Sequence, residues 1–212
     1  VFGGPIREDR LPDQTRLGGK AETREAIIST ALDLIQRDGP ERFSLREIAR
    51  RIGYSPAGLY EYFDGKAEIV QAVRERALAK FLDAMRSVPK NLPSDEYLVQ
   101  LGLAYIEFAN RAPQEYLLLF THLRGMIEDS QVERELSSAS YWYLDQGIGR
   151  AMHEGVIRPA EGFDRDQAAY GLWAIAHGLA MLQVGYLRDM PIDFKTVDAQ
   201  VLRALVDGLG SG

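Results

Sequence analysis

No cysteine occurs in the 212 residues. Disulfides and thiolate metal ligands are therefore excluded, and a reducing, cytoplasmic setting is the expected location. Histidine is nearly as scarce. His122, His153 and His177 fall on different predicted helices with no ligand-like spacing, so no metal site is expected. A Ser-His-Asp pattern and a phosphate-cradling glycine loop are both missing, so neither catalytic residues nor a cofactor are expected. Strand-like alternation, internal repeats and low-complexity tracts are absent as well. Nothing at the start reads as a secretory leader, although the chain opens at Val1 rather than Met. One uncharged run, QAAYGLWAIAHGLAMLQVGYL at 167–187, is long enough for a membrane span. Gln167, His177 and Gln183 are costly in lipid and no basic cluster flanks them, so a helix buried in protein is expected instead.

Apolar residues make up 46% of the chain, enough for one or two cores. The net charge of −6 is unevenly spread. Residues 1–90 carry 16 Lys and Arg against 14 Asp and Glu; residues 91–212 carry 9 against 17. An acidic back half repels nucleic acid, so any phosphate-binding surface belongs in the front half.

The pattern is all-α. Residues 1–20, rich in Gly and Pro and without periodicity, read as a flexible arm. A first helix at 21–38 carries the apolar stripe Ala26, Ile27, Ala31, Leu34 and Ile35 and stops at Gly39-Pro40. Ser44 with Glu47 is a capping box for a second helix ending at Gly53. Ser55 caps a third, with Pro56 in its first position. Asp64 can cap a fourth, running to 88. Later helices are expected at 94–111, 113–122, 130–153 (opened by the capping box Ser130-Gln-Val-Glu133), 164–187 and 196–206. The expected domains are a helix-turn-helix unit at 21–66, a connecting helix at 67–88, and a helical ligand-binding and dimerisation domain at 89–212.

Residues 44–63, SLREIARRIGYSPAGLYEYF, carry the most specific signal. Ala49 is small enough for a close helix crossing, Gly53 permits the positive φ of a tight turn, and Leu59 fills the angle between the helices. At about 100° per residue, Leu59 and Phe63 share an inward face, with Tyr60 and Tyr62 roughly 80° to either side. Ala57, Gly58 and Glu61 lie on the outward face between them. Small residues let a helix approach base edges, and flanking phenols reach phosphates on the groove walls. Ser44, Leu45 and Arg46 open the second helix, Lys66 opens the fourth, and Arg16, Lys20 and Arg24 can approach from the arm. Glu61 repels phosphate but can accept from cytosine N4; solvent is its expected direction. A three-helix domain with merely packed tyrosines is the plainer alternative.

Residues 23–70, through FSLREIARRIG, SPAGLYEYF and Lys66, resemble the DNA-binding domain of TetR/AcrR-type transcriptional regulators. The resemblance implies DNA contacts from Ser44, Arg46, Ser55, Pro56, Ala57, Gly58, Tyr60, Tyr62 and Lys66. Pro56 and Glu61 depart from the commonest residues at their positions, which bears on operator sequence rather than binding mode.

In the back half, Leu101, Tyr105 and Phe108 recur at helical spacing, as do Tyr116, Leu117 and Phe120. With Trp142, Met152, Trp173, His177 and Met181 they can line a mostly apolar chamber or form a plain core. Tyr105, Phe108, Tyr116, Phe120, Trp142, Trp173 and His177 are the candidate effector contacts. Gly171, Gly178 and Gly185 recur every seven residues, and Ser140, Gly147 and Ala151 share comparable spacing on the preceding helix. Small residues on both helices suggest close pairing with twofold mates in a homodimer. Trp173-Ala-Ile-Ala-His177-Gly178 resembles the W…HG signature of one C-terminal subgroup of the family. The resulting expectation is a homodimeric repressor that binds double-stranded operator DNA and is released by a largely apolar small-molecule effector. A helical small-molecule-binding dimer without DNA function, carrier or enzyme, is the competing expectation.

Overall fold

The computed structural model describes residues 19–39, 42–120, 131–158 and 163–210, with backbone alone at 131–140. Among these the secondary structure is helical: α1 (Gly19–Asp38), α2 (Leu45–Ile52), α3 (Pro56–Leu59), α4 (Lys66–Arg86), α5 (Ser94–Arg111), α6 (Pro113–Phe120), α7 (Gln131–His153), α8 (Arg165–Val184) and α9 (Phe194–Gly210). The chain divides into two compact units, Val1–Val70 and Gln71–Gly212. The predicted capping box at Ser130, and His122, lie outside the described residues.

In the first unit α1 buries Ile27, Ala31, Leu34 and Ile35 of the expected stripe, together with Ile28 and Leu32, while Ala26 is only half-buried. Phe43, Ile48, Ala49, Leu59, Phe63, Ile69 and Val70 complete this core. Each of the buried Ile, Leu, Val and Phe side chains contributes about 1.5–3 kcal/mol relative to exposure. Ser44 caps α2 with its hydroxyl oxygen accepting from the Glu47 N–H at 3.2 Å. The reciprocal half of the expected box is not made. The Glu47 carboxylate instead accepts from Arg50 and Arg51, three and four residues on, because two guanidinium groups outbid one backbone N–H. Gly53 ends α2 at φ +73°, and both its N–H and that of Tyr54 return to the Ala49 carbonyl.

In the second unit α5 is the central element, packed against α6, α7, α8 and α9. Leu98, Leu101, Tyr105, Ile106, Phe108 and Ala109 form its buried faces. α9 crosses α5 closely at Gly102, where a Cβ would stand 2.9 Å from two Leu202 methyls. Arg203 ties the two together through Asp95 and Glu96. Asp164 caps α8 in a complete capping box with Gln167, and Arg165 pairs with Asp145 of α7. Among the described residues no helix is long and apolar enough to cross a membrane.

Two of the glycine-stripe assignments are overturned here. Gly147 and Ala151 face inward rather than outward: a Cβ on Gly147 would stand 2.8 Å from Leu98 Cδ2 and 3.0 Å from Tyr97 Cε1, and Ala151 is fully buried within the protomer. Their small size serves the α5–α7 contact. The side chain of Ser140 lies outside the described residues. Gly171 and Gly178, by contrast, are half-buried with nothing within 4 Å of an added Cβ, and Gly185, exposed, ends α8.

Candidate nucleic-acid interface and effector site

The α3 surface is built by two caps. Ser55 accepts from the Gly58 N–H at 3.0 Å, and Pro56 occupies the first helical position, where its missing N–H costs nothing. The helix is four residues long, and Leu59 at its end and Phe63 beyond it point inward at 1% and 2% exposure. Ser55, Pro56 and Ala57 are exposed, and Gly58 is half-buried. Tyr60 projects with 58% of its surface exposed.

Tyr62 departs from the symmetric placement expected for it. The chain tightens after Leu59: Tyr62 N–H bonds to the Leu59 carbonyl, an i to i−3 step. In such a turn residues three apart eclipse one another, so Tyr62 is drawn toward the side of Leu59. It is half-buried, edge-on to Tyr54 at 6.3 Å, and the Tyr54 hydroxyl lies 3.1 Å from Thr23 Oγ1. Only one of the two phenols therefore stands clear.

Ser44 and Arg46 are exposed at the start of α2. Both capping serines accept from backbone while keeping their own O–H to donate. Arg46 makes no ion pair among the described residues, whereas Arg50 and Arg51 are held by Glu47. That double grip lowers the Glu47 carboxyl to about 2, chiefly through the hydrogen bond from Arg50. Lys66 lies over the Phe43 ring at 4.5 Å, and Arg24 over Phe63 at 4.9 Å. Glu61 is exposed, as expected.

The second unit gathers most of the predicted effector residues into one aromatic cluster. Tyr105, Tyr116, Phe120 and His177 stand with ring centroids 5.0–6.3 Å apart, in edge-on or tilted arrangements. Trp173 stacks obliquely on His177 at 5.6 Å. His177 Nδ1 lies 2.9 Å from both the Tyr105 and the Tyr116 hydroxyls. Burial pushes the Tyr105 phenol well above its usual range, with Tyr116 adding to the shift. Burial also raises Tyr116, to about 12, and depresses His177. Phe108 joins through Phe81, whose ring meets Phe108, Tyr105 and Phe120 at 5.4–5.8 Å. Trp142 is not brought in. It sits on α7, 48% exposed, against Tyr143 with Lys90 above its ring.

Phe81 is the member the sequence reading missed. It lies on α4, fully buried, at the i, i+4, i+8 spacing of Ala77, Phe81 and Met85, which was the available signal. Beside it, Lys80 of α4 pairs with Glu115 of α6 at 2.6 Å. Among the described residues no group of three or more His, Cys, Asp or Glu could hold a metal.

Residues 27–73 match the model of bacterial regulatory proteins of the tetR family, and residues 98–208 match the tetracyclin repressor-like C-terminal domain. An uncharacterized HTH-type transcriptional regulator of Mycobacterium tuberculosis is 24% identical over 185 residues, 85% of this chain and 79% of that one. The HTH-type transcriptional activator FasR of Mycolicibacterium smegmatis is 25% identical over 197 residues, covering 90% and 81%. In structure, AibR in complex with isovaleryl coenzyme A and operator DNA superposes with a TM-score of 0.71 at 19% identity, over 88% of this chain and 99% of that one.

Proposed function

Since the chain belongs to the TetR family of bacterial regulatory proteins, we propose that it binds operator DNA as a homodimer through α3 and lets go when an apolar effector occupies the second unit. The observation that carries this reading is the outward face of α3. Exposed Pro56 and Ala57 beside Gly58 give a surface low enough to reach base edges, and Tyr60 stands at its border to meet a phosphate. Ser44, Arg46 and Ser55 add donors to phosphate, and Lys66 adds positive charge. Two such helices, 34–36 Å apart in a dimer, reach successive turns of the major groove.

The exposed apolar face of α8 supports dimerisation. Tyr170, Ile175 and Leu182 are 39–67% exposed, Tyr186 just beyond the helix is exposed as well, and Gly171 and Gly178 open the same stripe. On α9, Val197 and Val201 are exposed as well. A four-helix contact built from α8 and α9 of each protomer buries these residues; α7 turns its small residues inward and is dropped from the pairing. The run from Trp173 to Gly178 fits the W…HG subgroup, with His177 on the ligand side and Gly178 on the partner side.

α4 is the coupling element. It begins in the first unit and, in the second, presents Phe81 to the aromatic cluster and Lys80 to α6. An effector that binds one arrangement of this cluster better than another shifts the operator-competent population by that difference in affinity. That AibR was crystallised with both an acyl coenzyme A and operator DNA fits a response of this kind. The relative named as an activator makes the sign of regulation a separate measurement.

Selection of binding sequences from random duplex DNA, followed by affinity measured against salt, tests the reading. The expected result is a two-fold-related site with a steep salt slope. Failure to retain any duplex at low salt refutes it in favour of a small-molecule-binding dimer without DNA function.

A further inference from the structure

α3 is a single turn of four residues, Pro56–Leu59. A helix of that length does not hold its own conformation in water, so its placement is set by neighbouring elements. Leu59 and Phe63 anchor it from the core side. A second support is Tyr54, which lies outside the predicted DNA contacts.

The Tyr54 backbone is fixed first. Its N–H bonds to the Ala49 carbonyl at 2.8 Å, directly after the left-handed Gly53. Its half-buried ring then reaches both ends of the recognition turn. At the start, a Cβ added to Gly58 would stand 3.5 Å from Tyr54 Cδ1 and 3.3 Å from Ser55 Oγ, so the ring flanks α3 there. At the end, Tyr62 meets the same ring edge-on, with centroids 6.3 Å apart and planes at 80°. The hydroxyl reaches a third element. It lies 3.1 Å from Oγ1 of Thr23, a residue 1% exposed near the start of α1, whose hydroxyl is also 3.4 Å from the Gly19 carbonyl. Whichever of the two hydroxyls donates, the bond needs both. Thr23, Tyr54 and Tyr62 thus form a column from α1 to the end of the recognition turn.

Resting on the reading of α3 as the DNA-contacting helix, we propose that Tyr54 and Tyr62 are positioning residues for operator recognition rather than phosphate contacts. Their edge-on rings, pinned to α1 through the Thr23–Tyr54 hydroxyl bond, hold α3 at the height and angle from which it reads base edges. Without the pin, α3 spends part of its time in placements that cannot read bases, and operator affinity falls by the fraction lost. Random duplex, held through its phosphates, feels that loss far less. Tyr60 differs, because a phosphate contact serves every sequence alike.

Affinities of the full chain for the selected operator and for random duplex, each variant checked by a thermal melt, test the column. Tyr54→Phe keeps the ring and deletes one hydroxyl; Thr23→Val deletes the other. Each should weaken operator binding about three- to tenfold and leave random duplex within about twofold of the parent. The double variant should be no weaker than either single one, since both remove the same bond. Thr23→Ser, which keeps a hydroxyl, should retain the parent's operator affinity. Tyr62→Phe should leave both affinities unchanged, while Tyr62→Ala, which removes the ring, should lower operator affinity alone.

A Tyr54→Phe protein with the parent's operator affinity overturns the proposal even if its melting temperature drops, because the hydroxyl then serves stability alone. Additive losses in the double variant overturn it too, as does a Thr23→Ser protein as weak as Thr23→Val. An equal loss on operator and random duplex in Tyr54→Phe or Tyr62→Phe also overturns it, by making that hydroxyl a phosphate contact. Should Tyr62→Ala fail to fold, the phenylalanine variants decide. A parent that retains no duplex refutes the α3 reading, and this proposal falls with it; a parent that selects an operator which the variants bind equally well refutes this proposal alone.

Discussion

A side chain added at Gly178 meets nothing within 4 Å in the protomer, whereas one added at Gly147 meets Leu98 and Tyr97 at 2.8–3.1 Å. The two positions lie on adjacent helices and look alike in sequence, yet opposite effects follow. Replacing a helical glycine stabilises a helix by up to about 1 kcal/mol, so Gly178→Leu should leave the isolated protomer at least as stable as the parent. Across a twofold contact the same leucine is inserted twice. At about 1–3 kcal/mol for each overpacked site, the dimer loses roughly 2–6 kcal/mol, weakening its dissociation constant about 30-fold to 20,000-fold. For Gly147→Ala the overpacking falls within the protomer and is partly offset by helix propensity. The expected outcome is a stability loss of up to about 2 kcal/mol with unchanged dimerisation. Sedimentation velocity over a dilution series, paired with thermal melts, separates the two. A Gly178→Leu protein that stays dimeric at every dilution refutes the α8 interface. A Gly147→Ala protein that dissociates without losing stability refutes the inward assignment of α7.

Other expectations concern particular side chains. Tyr60→Phe should weaken operator and random DNA alike, by roughly tenfold or less, because a phosphate contact carries no sequence information; a change confined to the operator in a binding assay argues against that role. Phe81→Ala should cost about 3–5 kcal/mol in a denaturant melt, and Phe81→Leu, less damaging, should still blunt effector-driven DNA release; full release by the leucine variant would remove α4 from the coupling. Asp198 is buried, with both oxygens accepting from Gln183 at 2.9 and 3.0 Å, and burial raises its pKa. The folded state thus holds this proton more tightly than the unfolded chain, and that stability is lost as pH rises through the folded value. The melting temperature of Asp198→Asn relative to the parent should therefore climb as pH rises above the ordinary carboxylate value of about 4; a flat or falling difference would show that the carboxylate is not penalised.

Local features were open to sequence reasoning. Pro93 and Pro113 bracket α5 and α6 so firmly that Ser94–Arg111 and the start at Pro113 follow from proline chemistry alone. Gly53 with its left-handed turn and the serine caps are equally local. Tyr62 was misplaced because a tight turn replaces the α-helical step after Leu59, a choice made by packing against Tyr54. Seven-residue spacing identifies a stripe but not its direction; only the position of α5 turns Gly147 inward and leaves Gly178 outside. The hydroxyl pair on His177 joins residues 61 and 72 positions apart, so composition could nominate its members but not assemble them. Phe81 escaped because its ring partners, Tyr105, Phe108 and Phe120, come from α5 and α6, far along the chain.

The central claim is that the small outward face of α3 enters a DNA groove. Ala57 is exposed, so Ala57→Glu should leave the melting curve unchanged while placing a carboxylate where base edges and phosphates would lie. Titration of the parent and this variant against the selected operator is the most direct measurement. The variant should bind about a hundredfold or more weakly, near the random-sequence level. Operator affinity equal to the parent's, in a protein with an unchanged melt, would contradict the claim.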